Sequence, residues 1–276
     1  MDLNTVLDVS RPRGRENLDG WRPGDAWLAG GTWLFSEPQP AIDRLVDLDG
    51  LGWPSITIDE RGLIIAATCR IAELYELAAS PAWTAAPLIA QCCRSLLASF
   101  KIWNAATVGG NVCMSLPAGA MISLVTALRG DCVIWCADGS ERRLPVEQFV
   151  TGVHENALRP GDLLRAIELP LAALQATTSF RQISLSPLGR SAALLIGSLS
   201  PLYGTFALTV TASTVRPLRL EFSTLPSGSE LSARVTEEIP DSLYLDDVHG
   251  EPAYRKHITY LFAEQIRNEL AQGASR

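Results

Sequence analysis

An α+β fold is predicted for this 276-residue chain from three observations. Strand-like and helix-like segments are interspersed through about residue 172. From Ser179 the character changes to a run of strand-like segments, and the chain then finishes in one long helical stripe. Mixed elements followed by segregated strands and a helix are the pattern of α+β architecture.

Taken in order, "DAWLAGGTWLF" is a short apolar segment running into Gly30-Gly31, and Leu45 to Leu48 reads as a short strand. "SITIDERGLIIAATC" predicts a hairpin, with alternation at Ile56 and Ile58 and a turn at Glu60 to Gly62. Thr68 is the expected cap of a helix "RIAELYELAA", whose apolar face is Ile71, Leu74, Tyr75 and Ala78. A second helix is expected over 86–100, with Leu88, Ile89, Cys92, Leu96 and Leu97 inward. "AGAMISLVTAL" is helical, and "CVIWCADGSERRLPVEQF" gives two strands around an Asp138-Gly139 turn. "RPGDLLRAIELP" adds a strand closed by Pro170, and "LAALQAT" marks the domain boundary. Beyond it, strands are expected at 180–185, 192–199, 205–212 and 218–223. Thr224 to Glu238 reads as a loop or short helix, and 252–271 as the final helix. No internal repeat is present.

Hydrophobic residues make up 47% of the chain and charged residues 19%, which is apolar enough for a generous core or for surface buried against partner subunits. The formal net charge is −7 and only Lys101 and Lys256 are lysines, a balance that argues against a nucleic-acid partner. Any phosphorylated ligand would have to be held largely by backbone N–H groups. Six cysteines, Cys69, Cys92, Cys93, Cys113, Cys132 and Cys136, lack the spacing of a zinc or iron–sulfur site. They are read as reduced structural thiols of a cytoplasmic protein. The N-terminal twenty residues have no apolar core of the signal-peptide kind. Ser191 to Val215 carries no charge but is broken by Gly197, Pro201 and Gly204, so two strands explain it better than a membrane span. Within it "TFALTVTAS" alternates as a half-buried strand does.

Two short stretches carry the candidate chemistry. "LAGGTWL" (Leu28, Ala29, Gly30, Gly31, Thr32, Trp33, Leu34) and "TVGGN" (Thr107, Val108, Gly109, Gly110, Asn111) share one design. Each sets a Gly pair between apolar flanks, with Thr or Asn beside it. Consecutive N–H groups in a tight glycine turn form a concave nest for anionic oxygens, and two such loops converging would hold a diphosphate from both sides. A plain turn remains the competing reading of each. Rival motifs are absent: "DGLGW" lacks the third glycine of a dinucleotide fingerprint, and neither a P-loop lysine nor a G-x-S-x-G elbow occurs. His154, His249 and His257 are isolated in sequence and read as surface or packing residues. The Asp246-Asp247 and Glu237-Glu238 pairs read as solvated loop charges.

In their order and separation the two loops resemble the FAD-binding (medium) subunit of the molybdenum hydroxylase family, the carbon monoxide dehydrogenase medium subunit and xanthine dehydrogenase flavin domain type. The likeness extends through "RLVDLDGLG", "GLIIAATCRIAEL", "NAATVGGNVCMSLPAGA", "GSERRLPVEQFVTGVHENALRPGDLLRAIELP" and "EPAYRKHITYLFAEQIRNEL". It implies a two-subdomain FAD-binding fold over 1–172, with subdomains about 1–53 and 54–172. A C-terminal module over 173–276, a three-stranded sheet with helices, would follow. Residues 28–34 would wrap the FAD pyrophosphate, and residues 107–111 would bind the diphosphate and ribityl region. Leu164 and Arg181 fall where family members contact the flavin. No catalytic acid or base and no metal ligand is expected in this chain.

The chain departs from the family pattern at several positions. Trp33 stands where Asp is usual, Met114 replaces a small polar residue, and Ala120 replaces an Asp. Trp103 stands for Arg, and Leu97 for an aromatic that some members stack on the flavin. The implied function is electron transfer: FAD here would receive electrons from [2Fe–2S] clusters on a small subunit, with molybdopterin on a large subunit. The resemblance also allows a dimer of such heterotrimers. Two other readings stand beside it, a flavin-free scaffold subunit, motivated by Met114 and Ala120, and a stand-alone flavin oxidase.

Overall fold

The computed structural model describes residues 3–18 and 20–274; Met1, Asp2, Asp19, Ser275 and Arg276 lie outside the described residues. In chain order the strands and helices begin with β1 (Asp8–Ser10), β2 (Asp25–Leu28), β3 (Arg44–Asp47), β4 (Ile56–Asp59) and β5 (Gly62–Ala66). Helices α1 (Ile71–Tyr75), α2 (Ala86–Ser95), α3 (Phe100–Trp103), α4 (Val108–Cys113) and α5 (Ala120–Ala127) follow. Next come β6 (Asp131–Trp135), β7 (Glu141–Pro145), α6 (Val146–Phe149), β8 (Val150–Gly152), β9 (Glu155–Asn156), β10 (Leu163–Pro170) and α7 (Leu171–Leu174). The chain ends with β11 (Thr177–Ser184), β12 (Ser191–Leu199), β13 (Phe206–Thr211), β14 (Leu218–Phe222), α8 (Gly228–Glu238) and α9 (Pro252–Ala274).

Among the described residues three larger sheets organise the fold, beside a two-stranded β8-β9 pair. A small parallel sheet has the order β1-β3-β2, an antiparallel one the order β4-β5-β10-β6-β7, and an antiparallel meander the order β11-β12-β13-β14. The α+β class holds. The last sheet has four strands, as the four strand-like segments predict, rather than the three that the resemblance implies. The charge-free segment from Ser191 resolves into β12 and β13, and among the described residues no helix is long and apolar enough to cross a membrane.

Helix α5 explains how the layers join. All eight of its residues are buried, as befits a helix that is apolar all round. Met121, Ile122, Leu124 and Val125 share one core with Leu63 and Ile65 of β5, Ile134 of β6 and Ile167 of β10. Leu194 and Ile196 of β12 join the same core from the other sheet. The alternate residues of that strand, Ala193 and Leu195, face a second core with Ile258, Phe262 and Ile266 of α9. This corrects the half-buried reading of "TFALTVTAS": β13 is buried on both faces, because α5 covers the side that sequence alone leaves to solvent. Gly197 is the notch for α9, since a Cβ there would lie 2.2 Å from Ile266.

Local differences have local causes. Helix α1 ends at Tyr75 and is capped by Arg70, not Thr68, with the Arg70 amide donating to Glu73 Oε2 at 2.7 Å. Helix α2 stops at Ser95, whose hydroxyl donates to the Cys92 carbonyl at 2.7 Å and so competes with continued helix. Residues 96–99 are not helical, and a separate turn of helix, α3, begins at Phe100. The polar stretch after Thr224 contains a full helix, α8, closed by a Ser227–Glu230 capping box.

Candidate cofactor cavity

The strand that leads into "LAGGTWL" is fixed on two sides. Asp25, whose carboxylate is fully buried, takes Arg44 in a bidentate pair at 2.7 and 2.6 Å. That pairing holds its carboxyl below the usual carboxylate range against the opposing effect of burial. Trp27 Nε1 donates to the Asp162 carbonyl at 2.9 Å, tying β2 to the loop before β10. Arg70 bonds Asp49 at 2.7 Å and the Ala105 carbonyl at 2.8 Å, drawing the first subdomain onto the segment before the second glycine loop.

The two loops do converge. A Cβ on Gly30 would lie 2.0 Å from the Ala105 oxygen, so the first loop packs directly on the residues that introduce the second. Gly31 has φ +68, a left-handed conformation that glycine adopts without a steric penalty. Among the described residues, no backbone N–H from Gly30 to Leu34 donates a hydrogen bond within the chain. The second loop is built differently, as the N-terminus of α4. Val108 and Gly109 donate to the carbonyls of Cys69 and Ala67, and Gly110 donates to Thr107 Oγ1 at 3.0 Å. Gly109 is demanded by packing, because a Cβ there would lie 2.4 Å from that of Ala67. The expectation of one shared design is thus corrected: one loop offers free amides, the other spends its own.

Between them lies a cavity of about 910 Å³. Ala29, Gly30, Gly31, Thr32, Trp33 and Leu34 form one wall, and Thr107, Gly110, Asn111 and Met114 another. Leu28, Val108, Gly109, Leu164 and Arg181 do not line it. Leu164 is buried in β10 opposite Ile134. Arg181 lies on β11, where it bonds Glu269 at 2.5 Å. Trp103 also stands apart, bonding the Leu96 carbonyl at 3.0 Å, whereas Leu97 lines the rim. Ala120 is fully buried in the first turn of α5.

Sequence reasoning missed the remaining walls. His154 lies at the cavity with its ring 5.5 Å from that of Trp33, and Arg190, Ala212, Asp246, Asp247 and His249 come from the C-terminal module. These residues are remote in sequence, so no local spacing could group them; His154, Asp246 and Asp247 are exposed, as the surface readings expect, and they line the cavity as well. Backbone strain also gathers at this place. Ser115, His154 and Ala212 all have positive φ, of 50, 59 and 64. The His154 amide donates to the Ser115 carbonyl at 3.1 Å, and the Ala212 amide to that of Pro117 at 2.8 Å. Left-handed non-glycine residues cost on the order of 1–2 kcal/mol each and concentrate at ligand sites. Arg255, 1% exposed, holds that corner: it donates to the carbonyls of Ala192, Ala212 and Gly250 and pairs with Asp247. Cys113 also lines the cavity, but burial pushes its thiol up to about 12, so it offers no thiolate at neutral pH.

A run of free amides on a long cleft, with one arginine and two histidines among its walls, defines a protein that binds an elongated cofactor bearing a diphosphate. The donor chemistry fits FAD, since the amides from Gly30 to Leu34 have no partner in the chain and are donors of the kind an anionic diphosphate needs. Comparison with known proteins agrees. A family model described as the FAD binding domain in molybdopterin dehydrogenase matches residues 18–172, more than half of the chain. The chain belongs to this family, and FAD is its cofactor. It is 31% identical over 98 residues to caffeine dehydrogenase subunit beta of Pseudomonas sp. (strain CBB1), a match covering 36% of this chain and 33% of that relative. The chain thus spans about a third of that curated relative's length in the match. Solved structures with the same fold include quinoline 2-oxidoreductase from Pseudomonas putida 86, at TM-score 0.79 and 18% identity, covering 100% of both chains. Reconstituted CO dehydrogenase from Oligotropha carboxidovorans matches at TM-score 0.80 and 21% identity, over 97% of this chain and 99% of that one.

Proposed function

We propose that this chain is the electron-transfer flavoprotein subunit of a molybdopterin-dependent hydroxylase or dehydrogenase, and that it is inactive alone. The observation that carries the reading is the unpaired amide run from Gly30 to Leu34, on residues that line the same cavity as residues of α4 and of the segment after residue 172. FAD supplies the redox chemistry when bound, and the protein's part is to hold and orient it. In this reading Gly30, Gly31, Thr32 and Trp33 bind the pyrophosphate, and Thr107, Gly110 and Asn111 bound the adjoining part of the cofactor. The contribution of Leu28, Ala29, Leu34, Val108 and Gly109 is to shape those loops. Electrons would arrive from [2Fe–2S] clusters on a small subunit, molybdopterin being on a large one, and leave to an external acceptor. The subunit name of the curated relative supports a multi-subunit assembly, which we take to be a cytoplasmic heterotrimer or a dimer of heterotrimers. The free amides favour this over a flavin-free scaffold, for which Met114 and Ala120 are the motive. Purification of the native complex tests it: the complex is expected to be yellow and to release FAD on heating. A colourless complex that retains its other cofactors would overturn the reading.

A further inference from the structure

A second cavity, of about 320 Å³, opens where the end of α5 and helix α7 meet the four-stranded sheet. Its floor is small and apolar, with Ala127, Ala173 and Ala207, and its polar wall carries Arg129, Arg219 and Ser198. Arg219 lies on the face of β14 turned toward α5, with only 7% of its side chain exposed. It pairs with Glu221, yet its Nε is buried without a hydrogen-bond partner. Thr209, its register partner on β13, also has a buried hydroxyl without a partner. Two unsatisfied polar atoms side by side behind one cavity require an explanation, since such groups are ordinarily paired.

The charges around them point to an anion. Arg129 Nη2 lies 3.2 Å from the same Glu221 oxygen that Arg219 uses, so two guanidiniums share one carboxylate. Burial, with the Arg129 charge beside it, pushes Arg219 down to about 10, which still leaves it charged at neutral pH. Glu147 offsets part of this charge, but burial pushes its own carboxyl up. Glu221 is half exposed, free to turn to solvent when another carboxylate arrives.

We propose that this cavity binds a small organic carboxylate, its oxygens against Arg219 and its apolar body on the alanine floor. Cavities of this size between packed elements are ordinary small-ligand sites, and this one stands independently of the flavin reading. Glu221 acts as the built-in competitor.

Titration calorimetry on the full-length protein tests this, with benzoate, acetate and inorganic phosphate as probes at constant ionic strength. Benzoate is expected to bind saturably in the millimolar range or tighter, acetate more weakly, and phosphate least. Glu221→Gln removes the competitor and is expected to tighten benzoate binding by about tenfold, while Arg219→Met weakens it by about one to two decades. Circular dichroism establishes that each variant is folded, and Glu221→Gln serves alone if Arg219→Met is not. Absence of saturable benzoate binding, an unchanged affinity in Glu221→Gln, or tighter binding of phosphate than of benzoate would each overturn the proposal.

Discussion

Asn111 Oδ1 accepts the Met121 amide at 2.9 Å, so the residue that ends the second glycine loop also caps the helix that joins the two halves of the molecule. Asn111 lines the cofactor cavity as well, and the two roles are separable. Asn111→Ala is expected to lower stability by about 1 kcal/mol, the usual worth of a cap. Asn111→Asp keeps the acceptor at a helix N-terminus and should keep stability, yet it sets a negative charge in the cavity wall, where binding of an anionic cofactor is expected to weaken. Thermal melts and FAD titration together check the split.

Substitution in the two glycine loops should separate ligand binding from packing. Gly31→Val imposes a Cβ on a left-handed residue, 2.4 Å from Phe35, in a loop that carries no core. FAD affinity is expected to fall at least about tenfold, with about 1–2 kcal/mol of stability lost to the left-handed backbone. Gly109→Val drives a side chain into Ala67 and should cost about 1–3 kcal/mol of stability from overpacking.

Amide exchange gives an independent reading. FAD addition is expected to slow exchange from Gly30 to Leu34, whose amides have no partner in the chain, and to leave Val108, Gly109 and Gly110 unchanged. Equal protection of both loops on binding would contradict the division of labour drawn here.

Arg255→Met leaves three carbonyls without their Arg255 donors and removes the ion pair to Asp247. A loss of about 3–5 kcal/mol is expected, read in denaturant unfolding. Milder variants that survive should show weakened FAD binding, because Ala212 and Asp247 line the cavity.

Acid should release the strand beneath the first loop. Asp25 is held below its ordinary value, chiefly by its hydrogen bonds to Arg44. The stability it contributes is complete above its unfolded value, near about pH 4, and is lost as pH falls through the lower folded value. Asp25→Asn is expected to be less stable at neutral pH and to lose less on acidification, as urea midpoints across this range would show.

Much of this architecture was legible in sequence because short periodic segments carry their own signals. The hairpin of β4 and β5, the strands flanking Asp138-Gly139 and the stripe of α9 all rest on nearby residues. Strand β1 escaped notice, being three residues with no buried member. The second buried face of β13 was invisible for another reason, since α5 arrives from eighty residues away in the chain. The site divides likewise. A left-handed Gly31 and a close-packed Gly30 follow from residue type, whereas His154, Arg190, Ala212 and Asp246 meet only through tertiary packing.

Gly30 and Gly109 are also required where no ligand is concerned, one by the Ala105 carbonyl and the other by Ala67. A descendant of this chain that discarded its flavin would still lose stability by replacing either. The double glycines therefore record ancestry of the scaffold. Occupancy is written instead in the positions that the scaffold leaves free to drift, Thr32, Trp33 and Met114.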